Sequence, residues 1–90
     1  MATHVYLIQA VESGRLKIGI ASDPLCRLGT LQVGCPELLA LRKTIPFDTR
    51  REAKTLEARL HHRFAPFHIH GEWFQKHTAI TNYFDLRSQR

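Results

Sequence analysis

The tightest constraint on this chain is a pair of strand-like runs near its start. Residues His4 to Gln9 and Arg15 to Ile20 are rich in β-branched and aromatic side chains, and Val11, Glu12, Ser13 and Gly14 lie between them. A four-residue connection ending in glycine closes an antiparallel hairpin. With that loop setting the register, Ala10 faces Arg15, so Tyr6 stands opposite Gly19 and Ile8 opposite Lys17. Tyr6, Lys17 and Gly19 then share one face of the hairpin.

Further along, Asp23 followed by Pro24 reads as a helix start: an oxygen to cap free N–H groups, then a proline whose missing N–H costs nothing there. Leu25, Leu28 and Leu31 give this helix its apolar stripe, Arg27 lies in its first turn, and Gly34, Cys35 and Pro36 end it. Residues 38–45 read as a third strand closed by Pro46, although their leucines also suit a helix. Thr49 and Glu52 form a capping box that opens a helix running to about Phe64. Its stripe is Ala53, Leu56, Leu60 and Phe64, and at about 100° per residue Glu57 falls in the same stripe. Pro66 stops that helix, residues 67–71 form a turn, and Glu72, Trp73 and Phe74 lead into a last helix ending near Asp85, with Ser88, Gln89 and Arg90 frayed. The expectation is a single α+β domain over residues 1–90. Its architecture is a small three-stranded antiparallel sheet flanked by about three helices, in the order β-β-α-β-α-α.

Charge narrows the class of partner. Thirteen Lys and Arg against eight Asp and Glu give a net charge of +5, and nine of the cations are Arg, whose planar fork matches phosphate oxygens in pairs. A polyanion such as DNA is the partner such a balance suggests. Cys26 and Cys35 lie in or beside one predicted helix, so no disulfide is expected and a reducing cytoplasm is the default setting. No leader-like segment and no run approaching the roughly 20 apolar residues of a membrane span are present, so the chain is expected to be neither secreted nor membrane-embedded.

Glu57 is the oddest residue. A carboxylate on an apolar helix face has to be paired, hydrogen-bonded or bound to a cation, because burying it alone costs several kcal/mol. An ion pair with Arg27, His61 or Lys17 is the structural solution. The chemical one is Mg²⁺ or Mn²⁺, which binds one or two carboxylates and leaves phosphate and water to complete its shell. Tyr6 alone suits a core aromatic, but Gly19 opposite leaves room for a substrate and Lys17 adds a cation where a phosphate can dock. Arg27 brings a guanidinium to a helix start that itself favours anions. His61, His62, His68 and His70, with Cys26 or Cys35, make an alternative zinc-binding set, at a spacing that fits no zinc finger. His61 stands one turn from Glu57, where it would support that carboxylate or assist proton transfer. Glu72 suits capping or packing better than metal binding, and Trp73 suits the core better than stacking on a base.

Together, His4-Val5-Tyr6, Lys17-Ile18-Gly19, Arg27 eight residues after that glycine, and Ala53, Leu56 and Glu57 on a later helix resemble the GIY-YIG nuclease superfamily. The likeness covers about residues 5–75 and points to the short branch typified by the phage T5 Orf172 domain, whose ending is similar to Phe64 followed by Gly71-Glu72-Trp73-Phe74. His4 stands at the family's first glycine, Lys17 at its second tyrosine, and its late asparagine has no clear counterpart. The resemblance implies a DNA endonuclease that leaves a 5′-phosphate. Tyr6, assisted by Lys17, would help activate the attacking water, Arg27 would hold the scissile phosphate, and Glu57 would bind a single Mg²⁺ or Mn²⁺. Lys17, Gly19 and Arg27 would line the DNA contact, with His61 assisting catalysis. It also implies a phage or bacterial protein working as a monomer or homodimer in the cytoplasm. The alternative is a module that holds nucleic acid on the same basic surface without cutting it, for which a carboxylate facing phosphate has no use.

Overall fold

In the computed structural model, which describes residues 2–87, β1 (Thr3–Ala10) and β2 (Leu16–Ala21) form the predicted hairpin in the predicted register, Tyr6 against Gly19 and Ile8 against Lys17. Gly14 turns the chain at φ +84°, a conformation that a Cβ would strain, and the Ala10 N–H donates to the Arg15 carbonyl at 2.9 Å. The end expected to fray, residues 88–90, lies outside the described residues.

Helix α1 (Pro24–Val33) starts where the sequence places it, with the Asp23 carboxylate accepting the Cys26 N–H at 3.1 Å. Strand β3 (Leu39–Phe47) follows and pairs antiparallel with β1. It runs through Pro46 instead of stopping there, because β3 is an edge strand and a missing N–H on its outer side breaks no ladder. Helix α2 (Arg50–Arg63) carries the capping box: the Glu52 N–H donates to Thr49 Oγ1 at 3.2 Å, and the Thr49 N–H to Glu52 Oε1 at 3.3 Å.

The segment after α2 departs from expectation. Following a 3₁₀ turn at Ala65–Phe67, His68–His70 form β4 and Trp73–Phe74 form β5, joined by Gly71 at φ +56° and Glu72. This small hairpin adds to the free side of β2 through Leu16 with Phe74 and Lys17 with Trp73. The antiparallel sheet therefore has five strands, in the order β3-β1-β2-β5-β4, where three were expected. The last helix, α3 (Thr78–Arg87), starts after β5 and runs two residues past Asp85. The element order is β-β-α-β-α-β-β-α with the 3₁₀ turn after α2.

The alternation of β1 and β2 buries both faces of the sheet. Val5, Leu7, Leu16, Ile18 and Ile20 pack under Ala53 and Leu60 of α2, Phe64 at its C-cap, and Ile80, Tyr83 and Phe84 of α3. The opposite face carries Tyr6, Ile8, Ala10 and Ala21, covered by Leu28 and Leu31 of α1 and flanked by Trp73. No helix among the described residues is long and apolar enough to cross a membrane. Leu60, 1% exposed, ties α2 to the sheet. Leu60→Ala is expected to cost about 2–5 kcal/mol in urea unfolding, whereas a loss below about 1 kcal/mol would contradict this packing.

Candidate active site

The site forms where β2 loses its neighbour. Strand β5 covers β2 only at Leu16 and Lys17, after which the Ile18 N–H donates to the Glu72 carbonyl at 3.0 Å and the hairpin turns away. The Ile18 carbonyl meets His61 Nε2 at 3.0 Å, so the ring donates across the gap and fastens α2 beside the open edge. An edge contact with Phe74, ring centroids 5.0 Å apart, fixes the imidazole further. Glu57, one turn before His61, is half-buried at this opening.

Gly19 determines what the opening holds. A Cβ on this residue would fall 2.6 Å from Tyr6 Cζ and 2.7 Å from Glu72 Oε1, so the missing side chain makes the seat for the Tyr6 ring and the Glu72 carboxylate. The room over Gly19 thus belongs to protein groups, where the sequence suggested substrate. Lys17 Nζ lies 3.1 Å from Glu72 Oε1 and 5.4 Å from the centre of the Trp73 ring. Arg27, from the first turn of α1, is exposed and close enough to influence the Tyr6 hydroxyl.

Charge at the site is unbalanced. Burial raises the Glu57 carboxyl above the usual carboxylate range, and the Glu72 carboxylate adds to the rise by repulsion and by a hydrogen bond to the protonated form; His61 and Lys54 act in the opposite sense. Tyr6 is wholly buried, and its hydroxyl has no hydrogen-bond partner among the described residues. Burial pushes that phenol up to about 12, aided by Glu72 and to a lesser extent Glu57 and opposed by Arg27. Tyr6 is accordingly a neutral hydroxyl at any physiological pH, able to accept and donate one proton. Two carboxyl groups facing each other beside an exposed guanidinium are an arrangement that a divalent cation and a phosphate would neutralise.

The sequence model of the T5orf172 domain matches residues 3–86. The chain belongs to this family. No curated protein and no solved structure matches it. In this T5orf172 domain, Tyr6, Lys17, Gly19, Arg27, Glu57 and His61 all gather at the one opening. Glu72, weighed from the sequence as a capping or packing residue, joins them. The local signal for it was the pair Gly71-Glu72, of the kind that closes a two-residue hairpin loop. The other histidines stay outside. His62, His68 and His70 are exposed, His68 bonds the Gly71 carbonyl at 2.8 Å, and no group of three or more His, Cys, Asp or Glu suited to a metal occurs among the described residues. Trp73 is half-buried against the α1 side of the core, as expected.

A stability test follows from Glu57. Because its folded carboxyl binds a proton more tightly than the unfolded chain does, its contribution is present at pH below about 4.3 and is lost as pH rises through the raised value. Glu57→Gln carries no such loss. In EDTA at pH 7 the variant is expected to melt about 2–4 °C above the wild type, the gap closing toward pH 4. A variant that melts lower at pH 7 would contradict the reading of this carboxylate pair.

Proposed function

We propose that this T5orf172 domain is a divalent-cation-dependent endonuclease of the GIY-YIG type that hydrolyses DNA phosphodiester bonds. The observation that carries the reading is the meeting, at one open strand edge, of an exposed arginine, a buried tyrosine hydroxyl without a hydrogen-bond partner among the described residues, and two facing carboxyl groups. A structural ion pair needs only one carboxylate, and a pure nucleic-acid binder is weakened by two beside the phosphate.

Glu57 and Glu72 are the residues that would hold Mg²⁺ or Mn²⁺. Two carboxylates are enough for such an ion, whose remaining positions go to water and substrate oxygens. When bound, it supplies positive charge for the phosphate oxygens and leaving group in the transition state. The protein's own groups do the positioning. Arg27 grips the non-bridging oxygens of the scissile phosphate with two parallel N–H donors. Tyr6 Oη, neutral and held over Gly19, orients the attacking water by accepting one of its hydrogens. Lys17 Nζ fixes the Glu72 carboxylate and adds positive charge beside the phosphate. His61 keeps α2, and with it Glu57, against β2; it is a positioning residue. Water adds to phosphorus as the bond to the 3′ oxygen breaks, leaving a 5′-phosphate and, once that oxygen takes a proton, a 3′-hydroxyl.

Supercoiled plasmid incubated with Mg²⁺ or Mn²⁺ tests the reading. Nicking is expected with the wild type, none in EDTA, and a loss of about 100-fold or more in Arg27→Ala and Glu57→Ala. Tyr6→Phe is expected to lose about 100-fold while keeping its fold. DNA binding by all proteins with cleavage by none would make this a nucleic-acid-binding module on the same scaffold.

A further inference from the structure

A second concavity opens on the same face of the sheet, beside the carboxylate site. Trp73 connects the two: it is the cross-strand partner of Lys17, whose ammonium lies over its ring, and it also forms one wall of a cleft of about 240 Å³. Ala10, Cys35 and Pro36 line the cleft with apolar atoms, while its polar groups are Arg15, Glu37 and His70. Glu37 is held in place, since its Oε1 accepts the Ser13 N–H at 2.8 Å. Arg15 is exposed at the cleft.

We propose that this cleft takes one unpaired nucleobase of the DNA strand being cut, so that the enzyme acts on substrates with single-stranded character. The proposal rests on the nuclease reading and names its substrate class. A cleft below the roughly 300–1,000 Å³ of pockets for drug-sized ligands has room for one flat heterocycle. An indole wall offers a stacking surface that accepts any base. Glu37 matches the amino hydrogens of a base edge, and Arg15 its ring and carbonyl acceptors. A phosphate fits poorly here, because it would meet the Glu37 carboxylate and lose water against apolar atoms. A base in a duplex is stacked and has its pairing edge occupied, so only an unpaired or extruded one can enter. Lys17 lies over the same Trp73 ring, so its ammonium is at hand for the backbone of the bound strand.

Trp73 is the sole tryptophan of the chain and reports directly on the cleft. The protein in EDTA is titrated with a short labelled single strand, with the same length of abasic sugar-phosphate, and with the corresponding duplex, following label anisotropy and tryptophan emission together. The base-bearing strand is expected to quench Trp73 and to bind on the order of tenfold tighter than the abasic one. Arg15→Ala should bring the base-bearing strand close to abasic affinity and leave abasic binding within about twofold. Equal binding of the two strands, binding without quenching, or quenching by the duplex as strong as by the single strand would each overturn the proposal. So would no binding by any of the three, an outcome that leaves plasmid nicking to decide the nuclease reading by itself.

Discussion

The pairing of Tyr6 with Gly19 across the first hairpin is the constraint on which the rest of the site depends. A pleated sheet places directly opposite side chains about 5 Å apart, so a tyrosine facing any residue but glycine would be displaced from the strand edge. With glycine there, the Tyr6 ring and the Glu72 carboxylate both occupy the space that a Cβ would fill. The hairpin loop sets that register, and Gly14 and the Ala10–Arg15 hydrogen bond set the loop. A change of one residue in the loop would move Tyr6 away from Gly19 and turn the strand's faces over. Thus a surface turn away from the opening fixes the position of the Tyr6 hydroxyl.

The same opening concentrates unfavourable electrostatics. Burial and repulsion both disfavour charge on Glu57, and the Tyr6 hydroxyl sits buried with no partner. Folded domains seldom keep such groups without a use, because each reduces an already small net stability. Here the surrounding scaffold is strong enough to hold them: α2 is capped by Thr49, packed through Leu60 and fastened by His61 to the Ile18 carbonyl. Carboxyl groups held together by such a scaffold would need little reorganisation to accept a cation.

Much of this was legible in the sequence because the informative signals were periodic or local. The hairpin register followed from loop length, the capping box from Thr49 and Glu52, and the position of Glu57 from 100° per residue. Six of the seven residues at the opening were named on those grounds and on the family resemblance. What escaped was β4 and β5. Strands of three and two residues are too short to show a period, and their stability comes from pairing with β2, a contact that does not depend on local propensity. The missed hairpin hid the placement of Glu72, and it also hid the cleft, since Trp73 reaches both only because β5 pairs with Lys17. Pro46 misled for a related reason: its strand lies at the sheet edge, a property of topology that no local sequence rule records.

The proposed role of Glu57 and Glu72 as the residues that hold one divalent cation is tested by calorimetric titration of the metal-free protein with Mn²⁺. One ion per chain is expected, with binding lost in Glu57→Gln, weakened at least tenfold in Glu72→Gln and unchanged in Arg27→Ala. Undiminished Mn²⁺ binding by Glu57→Gln, or none by the folded wild type, would contradict it.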